Sequence, residues 1–340
     1  MKTINSVSID ITYKCNYRCK HCFNSSGGHD DSLELSDEEF FQIAKDIAFQ
    51  HPDSLCFCGG EPLLRQELVC SIANYFKTHS SETVLSMVSN GAFLNDSVAK
   101  RLSEVGINRV QISLDGSNPK SHDWLRQNGA FELAIKALNL LAKYQIDSAI
   151  AFSPNTHNLG ELATVIDMAA SLGCKELRVQ PMMLLGRALE HMKDFSLSYR
   201  DYMYVNQTIC QKNEEYIEKE FSCVWGDPLS HLKAAVDNTF YHLTVSATGK
   251  ILASPYLPIS FGDLKKCTIK QYIDAGLFSV LKENELASYM ISKINSTDNM
   301  ALLDCGFTGE NNQIQIDLDL LSPTYKDETA RYLEKLCNKT

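Results

Sequence analysis

The chain has no hydrophobic run approaching the roughly 18–20 apolar residues needed to cross a bilayer. It has no signal-peptide core either, because Met1-Lys2-Thr3-Ile4-Asn5 leads straight into a strand-like segment. Both absences predict a cytoplasmic protein that does not engage a membrane. An excess of basic charge is also missing. Lys plus Arg number 32 against 42 Asp plus Glu, a formal charge of −10, so broad nucleic-acid binding is not expected. There is no low-complexity tract and no repeat with preserved sequence. Cysteine, by contrast, is plentiful, with 12 in 340 residues. In a reducing compartment these do not build a disulfide framework, so they are small core residues or metal ligands. The balance of 44% hydrophobic and 22% charged residues is that of an ordinary soluble globular protein.

Short apolar runs alternate with longer amphipathic ones. Strands are predicted at 6–12, 54–58, 83–88, 109–114, 147–152 and 175–179. Helices are predicted between them at 36–49, 65–78, 95–105, 131–144 and 159–172. This βαβα pattern with short connections predicts an α/β fold, a parallel sheet covered by helices, open or curled into a barrel. Ligands then collect at the carboxyl ends of the strands. Beyond Gly186-Arg187-Ala188 the pattern changes. One long polar helix is predicted over 197–221, then a hairpin turning at Gly249. A boundary near residue 190 divides a core (1–190) from an accessory region (191–340).

Cys15, Cys19 and Cys22 follow the first strand in Thr12-Tyr13-Lys14-Cys15-Asn16-Tyr17-Arg18-Cys19-Lys20-His21-Cys22. Thiolates are soft ligands that select iron–sulfur clusters, zinc or copper(I). A four-iron cluster normally takes four cysteines, so three would leave one iron open, as a catalytic centre requires. Two blander readings stand beside this one. The same spacing lies on one helical face, and His21 would complete a zinc site.

The three-cysteine loop resembles that of the radical S-adenosylmethionine (SAM) superfamily, and other segments follow in that family's order. Cys58-Gly59-Gly60-Glu61-Pro62-Leu63-Leu64 resembles its GGEPLL motif, Ser89-Asn90-Gly91 its SNG motif and Ser113-Leu114-Asp115-Gly116 its SLDG motif. His122 to Phe131 resembles the segment before its fourth helix, and Gly186-Arg187-Ala188 is similar to the peptide-modifying branch. The resemblance covers about residues 5–190 and implies a partial (β/α)6 barrel followed by a smaller α+β accessory domain. It implies a 4Fe–4S cluster on Cys15, Cys19 and Cys22, with SAM on the open iron. The implied SAM site has His21 near adenine, Gly59 and Gly60 letting the backbone approach the ligand, Glu61 accepting from the methionyl ammonium in a turn stiffened by Pro62, and Ser89, Asn90, Ser113 and Asp115 toward ribose or carboxylate. Arg126 is expected to pair with the SAM carboxylate.

The resemblance weakens toward the C-terminus. Gly249-Lys250-Ile251-Leu252-Ala253-Ser254 has Ser254 where the branch's SPASM domain places a cluster cysteine. A degenerate domain without a full auxiliary cluster is expected, with Cys223, Cys267 and Cys305 as remaining candidates for a partial site. The implied activity is crosslinking or epimerisation of a ribosomally made peptide, and an epimerase would use Cys223 as hydrogen donor. The implied partners are a precursor peptide, an electron donor such as flavodoxin or ferredoxin, and a separate leader-recognition protein, since no such domain precedes the first strand. A small-molecule substrate (sugar, nucleoside or amino acid) is the alternative, and a non-catalytic metal-binding protein the remote one.

Overall fold

The structure, a computed structural model, describes residues 4–28, 33–236, 241–297 and 316–337. Seven strands are parallel neighbours in chain order: β1 (Ser6–Asp10), β2 (Ser54–Cys58), β3 (Val84–Ser89), β4 (Arg109–Ser113), β5 (Asp147–Phe152), β6 (Glu176–Val179) and β7 (Ser222–Trp225). Helices fill the crossovers: α1 (Asp37–Phe49), α2 (Gln66–His79), α3 (Asp96–Glu104), α4 (Pro119–Leu125), α5 (Ala130–Lys143), α6 (Leu162–Ser171), α7 (Arg187–His191) and α8 (Tyr199–Glu215). Local chemistry sets their ends. Ser36 and Glu39 form a reciprocal capping box on α1, whose Phe40, Ile43, Ala44, Ile47 and Ala48 make one buried stripe.

Alternation along the strands separates two environments. Val7, Ile9, Leu55, Phe57, Leu85, Met87, Val110, Ile112, Ile150 and Phe152 are buried in the main core. The intervening residues Ser8, Asp10, Cys56, Cys58, Ser86 and Gln111 retain partial exposure. One side of the sheet is therefore core, and the other is a polar interior.

The strand–helix rhythm continues past the boundary expected near residue 190. The helix expected over 197–221 ends at Glu215, and β7 then joins β6 in parallel. Four residues, Ser-Cys-Val-Trp, are too few for alternation to announce a strand. On the other side β8 (His242–Val245) lies parallel to β1, followed by β9 (Lys250–Leu252), β10 (Ile259–Asp263) and β11 (Ile316–Asp317). The β8–β9 hairpin matches the expected turn at Gly249, which adopts a positive φ of 84°.

Candidate functional site at the carboxyl ends of the strands

The segment after β1 is an irregular loop, not a helix. Its shape comes from bonds to distant chain. Gly60 N–H donates to Thr12 O (2.7 Å), Glu61 N–H to Lys14 O (2.9 Å) and Lys20 N–H to Leu125 O (2.9 Å). Arg187 clamps the same loop, with N–H to Cys22 O (3.0 Å), Nε to Cys19 O (3.0 Å) and Nη1 to Ser26 O (2.9 Å). Arg18 adds bonds to the carbonyls of Cys15, Tyr17 and Gly27. Cys15, Cys19 and Cys22 thereby gather in one packed cluster with Tyr17, Ala92 and Ala130.

Gly59 and Gly60 were expected to admit a ligand, but the space their side chains would fill is taken by the cysteine loop. A Cβ on Gly59, which has φ +119°, would lie 2.3 Å from Thr12 O, and one on Gly60 2.1 Å from Lys14 O. These glycines therefore let β2 dock against the loop backbone. Pro62 follows at the start of a short 3₁₀ turn, Pro62–Arg65, capped by the Glu61 side chain.

Glu61 is fully buried and braces two loops. Its Oε1 accepts from Leu63 N–H (3.2 Å) and Ser89 Oγ–H (2.9 Å), and its Oε2 accepts from Asn90 N–H (2.8 Å). Burial pushes its carboxyl up to about 7 against the lowering effect of those donors. Three protein donors make Glu61 a brace between two loops, alongside the ammonium contact expected of it. Ser89 is equally committed, donating to Glu61 and accepting from Gly91 N–H at 3.0 Å. Asn90 reaches the cysteine loop, with Nδ2 2.9 Å from Asn16 Oδ1 and 3.9 Å from Cys15 Sγ.

Asp115, just past β4, is also fully buried. Its Oδ1 accepts from Ser153 N–H (2.8 Å) and its Oδ2 from Arg126 Nε (2.5 Å). Burial alone would raise its carboxyl, but the Arg126 guanidinium, His21, His122 and the Ser153 N–H outweigh it and hold the group below its ordinary range. Arg126 is thus anchored on Asp115 through Nε, with its two terminal nitrogens toward the cysteine loop. Its Nη1 faces Cys19 Sγ at 3.8 Å and its Nη2 faces His21 Nε2 at 3.3 Å. Because guanidinium only donates, Nε2 accepts and the neutral His21 carries its proton on Nδ1. That Nδ1 is buried with no hydrogen-bond partner, as is Tyr17 OH. Burial, followed in size by the opposing pull of Asp115, brings His21 down to about 4. Ser113, half-buried at the end of β4, makes no side-chain hydrogen bond among the described residues.

Burial raises the Cys15 thiol and pushes Cys19 up to about 11, with Arg126 opposing in both cases. Among the described residues no three His, Cys, Asp or Glu side chains are gathered closely enough for one metal ion. The His21 ring, the fourth ligand of the zinc alternative, turns its Nε2 to Arg126 Nη2 at 3.3 Å. Each thiol of an iron–sulfur cubane takes a different iron, so its ligands stand farther apart than the roughly 2.3 Å Zn–S bonds of a single tetrahedral site allow.

The accessory candidates do not converge. Cys223, expected as a hydrogen donor, pairs in register with Leu177 and is buried in the main core, on the side away from the polar interior. The thiols on the interior side are Cys56 and Cys58, with sulfurs 3.4 Å apart. Cys267 packs against the core after β10, and Cys305 lies outside the described residues. Ser254 is buried and its Oγ accepts from Tyr256 N–H at 3.3 Å, closing the turn where a cluster ligand would stand. Nothing in the sequence marks Asn16 or Arg18, and Arg187 stands out only as part of a motif. Their partners are mostly backbone carbonyls, which leave no pattern in sequence.

Residues 9–169 match the radical SAM superfamily. Among curated proteins, mycofactocin maturase MftC of Mycobacterium ulcerans (strain Agy99) is 29% identical over 66% of this chain and 58% of its own length. The AdoMet-dependent heme synthase of Methanosarcina barkeri is 25% identical over 82% of this chain and 85% of its own. The Fe-coproporphyrin III synthase of the same organism is 26% identical over 62% of this chain. The match spans only 52% of that synthase's length, about half, as it does for several of these relatives. Among solved structures, anSMEcpe with bound AdoMet superposes with a TM-score of 0.66 at 17% identity, covering 98% of this chain and 94% of that one. The likeness in fold is that of the partial (β/α)6 barrel, here with a C-terminal α+β extension.

Proposed function

We propose that this chain, which belongs to the radical SAM superfamily, modifies a ribosomally made precursor peptide. It is an enzyme, and its cofactors are a 4Fe–4S cluster and SAM, which together supply a 5′-deoxyadenosyl radical able to take hydrogen from an unactivated carbon. The observation that carries the site assignment is the convergence of three thiols in a loop braced from β2, β3 and α7. Cys15, Cys19 and Cys22 would hold the cluster. Their soft donor set suits iron, and two buried polar atoms beside them, His21 Nδ1 and Tyr17 OH, lack protein partners. The His21 Nδ1–H and the hydroxyls of Tyr17 and Ser113 retain hydrogen-bonding capacity for a nucleoside. Glu61, Ser89, Asn90, Asp115 and Arg126 hold the platform rigid.

The peptide substrate is supported by the maturase relatives MftC and SkfB, the latter a sporulation killing factor maturation protein of Bacillus subtilis. Electrons would come from a flavodoxin or ferredoxin, and a separate recognition protein would present the leader. A small-molecule reading is favoured by one observation, the heme synthase that aligns over most of both chains. The test uses anaerobically reconstituted full chain with SAM and dithionite. A mass or stereochemical change on a precursor peptide encoded beside it is expected. Conversion of an iron coproporphyrin, with the peptide unchanged, would select the small-molecule reading.

A further inference from the structure

Two side chains of the site also lie within reach of cysteine sulfurs. Arg126 Nη1 lies 3.8 Å from Cys19 Sγ, and Asn90 Nδ2 lies 3.9 Å from Cys15 Sγ. The latter sulfur also accepts from Tyr17 N–H at 3.4 Å. Neither side chain is free to swing away. Arg126 is anchored through Nε on Asp115 and turns Nη2 to His21. The Asn90 amide is oriented at both ends, because Oδ1 accepts from Ala92 N–H (2.9 Å) and Nδ2 donates to Asn16 Oδ1 (2.9 Å). Its NH₂ therefore faces the cysteine loop. Cys22 differs, since its thiol donates to Asn24 Oδ1 at 3.0 Å, a bond that a thiolate cannot make.

Resting on the reading that these thiols carry the cluster, we propose that Arg126 and Asn90 are hydrogen-bond donors to the cluster thiolates and make the cluster easier to reduce, with Asp115 as the residue that positions the guanidinium. Reduction adds one negative charge to the cluster. N–H groups aimed at its sulfurs, and a cation beside them, stabilise the more negative state. Asp115 opposes this with its own charge, but it binds the Nε edge while Nη1 faces the sulfur, so the guanidinium is the nearer charge. The effect falls on Cys15 and Cys19, leaving Cys22 outside it.

The experiment is a dye-mediated redox titration of anaerobically reconstituted full chain, read by the EPR signal of the reduced cluster, with iron content measured alongside. At the wild-type midpoint, Arg126→Gln is expected to hold about tenfold less reduced than oxidised cluster, a shift of about 59 mV for one electron. Arg126→Lys keeps the charge but not the planar fork and is expected in between. Asn90→Ala is expected to shift the same way by less. Arg126→Gln with about four irons and a wild-type midpoint overturns the proposal. If that variant fails to hold iron, Arg126→Lys and Asn90→Ala decide. Lowered midpoints support the proposal, and wild-type midpoints in both overturn it. A wild-type chain that binds no iron overturns the ligand assignment itself, and does so before any variant is made.

Discussion

The cysteine end of the barrel and the outer strands β9–β11 both bury polar groups, but they treat them differently. In the outer strands the groups satisfy one another. Ser260 Oγ donates to Asp317 Oδ1 (2.5 Å), Lys250 Nζ bridges Asp317 (2.6 Å) and Asp263 (3.1 Å), and Tyr272 OH links Asp263 N–H (2.9 Å) to Asp319 (3.2 Å). At the cysteine end the braces are just as complete around Glu61 and Asp115, yet His21 Nδ1 and Tyr17 OH remain without partners. Leaving a buried polar atom unpaired costs about 1–3 kcal/mol. Among the described residues β9–β11 leave no buried side-chain polar atom unpaired, whereas Gln50, Ser196, His231 and Thr244 do elsewhere, so the two open valences at the cysteine end mark a site because three thiols stand beside them.

The largest effect that would break this contrast is on iron. Replacing Cys15, Cys19 and Cys22 with Ala is expected to take the reconstituted protein from about four irons to none and to abolish 5′-deoxyadenosine formation. Retention of four irons would move the site elsewhere. Next in size is Glu61→Ala, which strands the N–H groups of Leu63 and Asn90 and the Ser89 hydroxyl. A loss of roughly 3 kcal/mol is expected in urea unfolding of the metal-free chain.

Asp10 sharpens the contrast from within the barrel. It pairs in register with Cys58 on the polar side, and burial raises its carboxyl from 3.8 to about 7. The folded chain then binds a proton that the unfolded chain has released, so this group's contribution to stability falls as pH rises from about 4 to about 7. Asp10→Asn removes that dependence. Its melting-temperature advantage over wild type is expected to grow across that window and level off above it. An equal advantage at pH 5 and pH 8 would show Asp10 to be an ordinary solvated acid. The smallest effect is at Ser254. Ser254→Cys is expected to leave iron content unchanged, because one added thiol supplies only one of the four ligands a four-iron cluster normally takes. A gain of iron would instead make the outer strands a cluster domain missing one ligand.

The strands, the helices and the cysteine loop were largely legible before any coordinates. β2 and β5 match their predicted limits, and α1 begins at the cap residue its composition announces. The motif residues do assemble at the strand ends. What was not legible is which way they face. Gly59 and Gly60 read as room for a ligand, yet they make room for Thr12 and Lys14. Glu61, Ser89 and Arg126 read as ligand contacts, and the fold also ties Glu61 to Ser89 and Asn90, and Arg126 to Asp115. Cys223 read as an available thiol because nothing in Ser-Cys-Val-Trp marks the side of the sheet it will occupy.

The order of the strands and the identity of the thiols follow from local chemistry. Periodicity and capping act over a few residues, and the three cysteines stand within eight consecutive positions. The partners of those thiols were decided only by folding. Arg126 meets Cys19 across 107 residues and Asn90 meets Cys15 across 75. Which side chain meets which over such separations depends on strand register and loop packing, and these belong to the assembled sheet and to no single segment of it.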